Sequence, residues 1–255
     1  MKNNVPEDAI LGILNGLITG LPMIVAQMEQ VIQPPALLDA GTDKQRFRYE
    51  NPDALTLEVL KCVRIASALR AAFTLLVNGH TIEVGVMFRT IDDACGDFFF
   101  VDEVIDTGKA NAAQAKYLAE YFGDEKSIND NERRRKVQAA EARYLGQGNP
   151  SDAKQTVKTI DNTFSGIIHG SYSAMMDMYG GKPARFHVEG MPVRSIEYRV
   201  HLGIYIHRAL NVFCKVANNL GQHELAETIR DLRQIFEKNP SYTQHLGSSG
   251  GAKGK

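Results

Sequence analysis

Arg194 and His201 stand seven residues apart in a stretch that reads as one helix, so they lie almost two turns apart on a single face. Glu197, four residues before His201, shares that face and could fix the imidazole tautomer or raise its pKa. Tyr198, Tyr205 and Arg208 fall on the same stripe. A cation, a histidine, a carboxylate and two phenols together could hold a phosphate and move a proton beside it. The same residues also make an ordinary solvated helix face. His207 falls instead with Ile196, Val200, Leu210 and Cys214, where a buried structural histidine is expected.

A second set lies in the strongly apolar residues 78–100. Arg89, Asp93 and Asp97 follow at four-residue steps, and Arg89 and Asp93 are placed to pair along the helix. Ionisable groups in such a setting mark an internal polar network or a site. In the second case Arg89 would grip a phosphate or carboxylate while Asp93 holds its guanidinium plane. A third set surrounds His169, with Ser165 and Ser173 on its face, Tyr172 flanking, and Gly166 and Gly170 allowing close approach. His169 is either tied to a neighbouring helix or available as a base or ligand contact. Arg89, Asp93, His169 and Tyr172 could line one small-molecule pocket.

Metal chemistry finds little support in the sequence. His80 and Glu83 are three apart, but no Glu-x-x-His occurs, as a four-helix di-metal site would require. Cys62, Cys95 and Cys214 lie in apolar runs with no Cys-x-x-Cys pair, so reduced interior thiols are expected. No metal or cofactor is expected.

The elements that must position these residues read as helices almost throughout. The spacing predicts helices over 7–30, from Asn51-Pro52-Asp53 to Asn78-Gly79, over 80–105, over 110–122, from Ser127, from Ser151 to Tyr179 (continuous or broken near Asp161), over 193–219 and over 222–238. Asn51 is the expected cap of the second, with Pro52 at its first position. The 80–105 helix is apolar on more than one face, which suggests a central position. Residues 33–50 are expected to be irregular, 146–150 and 180–192 to be loops, and 185–188 to be the one minor extended segment. The result is an all-α, single helical-bundle domain of about eight helices over 1–246, with a disordered tail at 247–255.

Composition sets outer limits. The 255 residues are 44% hydrophobic and 23% charged, with a formal charge of -1, which argues against a surface built wholly for nucleic acid. The apolar stretch 9–25 contains Gly12, Asn15, Gly16, Thr19, Gly20 and Pro22, follows acidic residues, and is short of the ~20 apolar residues a membrane span needs. A buried or partner-packing helix, no membrane, and a cytoplasmic protein are the expectations.

Arg194 to His201, an Arg followed by six residues and a His on a late helix of an all-helical chain, resembles the Arg-x(4–6)-His signature of the HEPN (higher eukaryote and prokaryote nucleotide-binding) class. That class commonly has a polar Asn, Asp or His after the Arg, where Ser195 stands here. The resemblance implies a metal-independent ribonuclease of the toxin–antitoxin or phage-defence kind, with Arg194 and His201 catalytic. It further implies RNA as substrate, a homodimer with the site across its axis, and a protein partner or antitoxin. Under it, the basic block Arg133 to Lys136 would hold the RNA backbone, although beside Asp130 and Glu132 it also reads as a solvated face. Gly79-His80, Arg89 to Asp92 and Ile168-His169-Gly170 together look like a broad set of bacterial helical proteins with no established activity. A non-catalytic helical interaction or oligomerisation module is the competing reading.

Overall fold

Two long helices joined by a tight turn organise the molecule. The computed structural model describes residues 7–38, 46–123, 137–143, 155, 158–159, 165–191 and 195–238. Helix α1 spans Glu7–Glu29, α2 Ala54–Val77, α3 Thr81–Thr107, α4 Ala112–Phe122, α5 Tyr172–Met176, α6 Ser195–Asn219 and α7 His223–Glu237. Further helical stretches cover 137–143 and 165–168. Strand β1 (Ala36–Leu38) pairs antiparallel with β2 (Arg46–Arg48), and β3 (Tyr179–Gly180) with β4 (Arg185–Phe186). The fold is all-α in class. The first hairpin falls in the stretch expected to be irregular, and the second replaces the single extended segment with a cross-strand pair.

Asp53, not Asn51, caps α2. Its Oδ1 accepts from the Thr56 backbone N–H and from the Thr56 hydroxyl, both at 2.8 Å. Pro52 therefore precedes the helix. At the other end, Gly79 takes the left-handed conformation (φ 79°), and the backbone N–H of His80 donates to Leu75 O at 2.9 Å. This turn folds α3 back antiparallel against α2. Gly108, also left-handed, ends α3, and a reciprocal Asn111–Gln114 capping box starts α4.

Both central helices are buried on most of their surface. Leu69 and Leu76 of α2, Phe88, Ile91 and Phe98 of α3, Leu202, Ile206 and Phe213 of α6, and Leu14, Leu21 and Met28 of α1 share one core. A second cluster joins Leu57, Phe100 and Val101 to Tyr117 and Ala140. Helix α1 continues through Pro22. Its segment Leu11–Glu29 is long and apolar enough to cross a membrane by length and composition, although its inner stripe lies in the core.

The helix expected up to Tyr179, continuous or broken near Asp161, is interrupted at residues 169–171. It ends at a turn in which Gly170 is left-handed (φ 60°), and α5 follows, capped by Ser171. Ile167 lies against Gly85 of α3, where a Cβ would come within 2.9 Å of the Ile167 side chain. The expected helix start at Ser127, the loop 146–150, the start at Ser151, the basic block 133–136 and the tail 247–255 lie outside the described residues.

Candidate functional site

Helices α3 and α6 meet along two stripes with matching helical spacing. On α3 the stripe runs Phe88, Asp92, Cys95, Phe99, Asp102, Asp106, and on α6 His201, Tyr205, Arg208, Val212, Lys215, Asn219. Asp92 meets Tyr205 and Arg208, and the later Asp102 meets the later Lys215 and Asn219, so the two helices run parallel. Three of the six α3 residues are aspartates, and all six α6 residues but Val212 carry a polar group. The seam is consequently a line of hydrogen bonds and ion pairs enclosed by apolar packing.

Its first cluster centres on Arg208. The guanidinium donates to Asp92 Oδ1 through Nη1 and to Glu141 Oε1 through Nη2, while Tyr205 donates its hydroxyl to Asp92 Oδ2 at 2.7 Å. Asp92 and Glu141 are both buried. Burial pushes the two carboxyls up, and the Arg208 charge pulls them back towards the ionised form. Three segments are tied by one cation: α3, α6 and the 137–143 stretch. Gly96 lets that stretch approach, since a Cβ there would meet Val137 at 2.8 Å.

Above this cluster the seam turns aromatic. Phe88 stacks on Tyr205 with ring centroids 4.3 Å apart and on Tyr198 at 6.4 Å. The imidazole of His201 sits edge-on to Phe88 and Tyr198 at 6.5 and 6.1 Å. His201 is exposed, so one side of its ring faces solvent while the other rests on this shelf.

The second cluster lies towards the end of α6. The Asn219 amide donates to Asp102 Oδ1 at 2.8 Å and to Glu58 Oε2 of α2 at 2.9 Å. Lys215 reaches Asp106 at 2.7 Å and Asp102 at 3.5 Å. Between the clusters, Lys61 of α2 pairs with Asp97 at 2.7 Å and lies 4.4 Å from the centre of the Tyr121 ring.

The residues singled out by sequence are therefore distributed unequally. Tyr205 and Arg208, expected on an open stripe with His201, are largely enclosed, because α3 covers that face of α6. Arg89 and Asp93 pair with each other at 2.8 Å, with Asp93 exposed, whereas Asp97 leaves the stripe to meet α2. His169 lies exposed in the turn before α5, not in mid-helix, and Tyr172 is 82% exposed. His207 is half-buried, held at 2.6 Å by Glu237 of α7. Arg194 and the side chain of Glu197 lie outside the described residues, and Arg194 immediately precedes the first residue of α6.

Asp92, which with Arg89, Asp93 and Asp97 stands out by sequence as a charge in an apolar run, is part of this polar seam. Glu141, Glu58, Asp102, Lys215 and Asn219, by contrast, have no place among the residues expected from sequence. For Glu58 a signal was present: Glu58, Cys62, Ile65, Leu69, Ala72 and Leu76 form one continuous helical stripe, and every other member is apolar. Among the described residues, no three His, Cys, Asp or Glu side chains gather so as to hold a metal ion. No protein-family model, curated protein or solved structure matches the chain.

Proposed function

We propose that the protein is a HEPN-like, metal-independent ribonuclease in which His201 is the acid–base group and Arg194 stabilises the phosphorane. The ribose 2′-OH attacks the adjacent phosphorus, the P–O5′ bond breaks, and a 2′,3′-cyclic phosphate and a 5′-hydroxyl end result. His201 takes the proton of the attacking hydroxyl or returns one to the leaving oxygen. The observation that carries this reading is the exposed imidazole of His201 on the Phe88–Tyr198 shelf, at the open end of the α3–α6 seam. Tyr205 and Arg208 act beneath it by fixing α6 on α3, and Phe88 links their cluster to the histidine. Arg194 stands seven residues before His201 in the sequence. In this reading the site is completed across a homodimer, a protein partner or antitoxin restrains it, and the protein works in the cytoplasm.

The test is incubation of the full chain with total RNA in the presence of a chelator, comparing wild type with His201→Ala. Cleavage by wild type, with cyclic phosphate ends and a loss of about 100-fold or more in the variant, is the expected outcome. Equal degradation by both proteins, or none by either, overturns the mechanism. The second reading, a helical interaction or oligomerisation module, draws on α1. Gly12 and Gly16 of its outer face have open space where a Cβ would stand, and Met23 beside them is 69% exposed.

A further inference from the structure

Glu58 of α2 faces the α3–α6 seam and is fully enclosed. Its side chain has no solvent exposure, and its Oε1 has no hydrogen-bond partner among the described residues. Its other oxygen accepts from the Asn219 amide at 2.9 Å. That amide has two N–H groups, and it gives Asp102 a hydrogen bond of 2.8 Å as well as the one to Glu58. Lys215, a cation that bears on Glu58, is directed to Asp106 and Asp102. Three carboxyls thus share one ammonium and one amide. From α3 Glu58 faces Asp102 and Asp106, from α6 Lys215 and Asn219, and on its own helix Cys62. An ionised Glu58 would place a second net negative charge in a dry site with no donor for Oε1, and a neutral Glu58 would not.

We propose that Glu58 is a buried proton-binding site whose ionisation loosens the end of α6 from α2 and α3. Asn219 is the last residue of α6, and the turn after it is docked on α1 through Gln222, whose amide donates to Gln27 O at 2.9 Å. Asn219 is the joint through which a charge on Glu58 reaches that turn. The geometry agrees with the electrostatics: burial, then the neighbouring Asp102, holds the Glu58 carboxyl up at about 8, against the favourable hydrogen bond from Asn219. The proton binds between about pH 4.5, where an unfolded glutamate releases it, and about pH 8. Stability from this group is therefore complete below the first value and falls as pH rises to the second.

The experiment follows the glutamate side-chain carboxyl carbons of the full chain by NMR across the acid-to-alkaline range, in wild type and in Glu58→Gln. One resonance, missing from the variant, should titrate near pH 8, and the Asn219 side-chain amide signals should shift with the same midpoint. The thermal midpoint of wild type should fall relative to Glu58→Gln as pH rises through the same window. Asp102→Asn, which removes the adjacent negative charge, should lower the titration midpoint. A wild-type spectrum in which every glutamate titrates in the ordinary acidic range overturns the proposal. So does an Asn219 signal that ignores the titration, or equal pH dependence of unfolding in wild type and Glu58→Gln.

Discussion

The Arg208 and Glu58 clusters lie in one seam, behind the same pair of helices, and in each the carboxyls outnumber the cation, yet they differ in how far the donors meet the carboxyl oxygens. Around Arg208, a guanidinium with several donors stands between two carboxylates, and a phenol takes the remaining oxygen of Asp92. Around Glu58, the carboxyls outnumber the donors, and one oxygen is left without a partner among the described residues. Asp92 and Glu141 in the one and Glu58 and Asp102 in the other are all buried, so burial of these carboxyls does not separate the clusters. The count of donors does. A buried carboxylate with its donors in place is a fastener; one without them is a place where a proton resides.

The comparison can be broken most directly at Arg208. Replacing it by Met removes the cation and leaves two buried carboxylates facing each other, and a loss of about 3–5 kcal/mol in the free energy of urea unfolding is expected. A loss below about 1 kcal/mol would mean that the cluster does not hold the helices together. Glu58→Gln should move the other way at neutral pH, since it removes the need to bind a proton. Tyr205→Phe keeps the ring on Phe88 and deletes only the hydroxyl bonded to Asp92. A loss of about 2 kcal/mol by the same measurement is expected, as for a hydrogen bond to a charged group. The smallest effect belongs to the Arg89–Asp93 pair. Asp93 is 61% exposed, so Asp93→Ala should change stability by about 0.5 kcal/mol or less and lose even that in high salt.

How much of this the sequence discloses depends on the range of the interaction. The turn at Asn78-Gly79, the helix from there to Thr107 and the Arg89–Asp93 pair follow from spacing alone, because each is settled within a few residues. Asp53 displaced Asn51 as the cap because its carboxylate reaches both the amide and the hydroxyl of Thr56, a choice a Pro at the next position obscures. Tyr205 and Arg208 look identical to His201 on a helical wheel, and only the arrival of α3 over part of that face divides them. Glu141 sits in a polar stretch with nothing local to mark it, and its role depends on Gly96 and Arg208, far away in the chain.

Helices α3 and α6 lie side by side and point the same way, which has a topological cost. A chain that leaves the end of α3 must travel back along the bundle before α6 can begin, and Glu141 belongs to that return path. Arg208 therefore joins pieces that are 116 and 67 residues distant from it. Such a contact closes two large loops at once and gains nothing from helices forming locally. In kinetic terms the triad is a latch that cannot engage early. It comes together only when the returning segment has found its place, so this fastening of the bundle is also the record that its three segments have met.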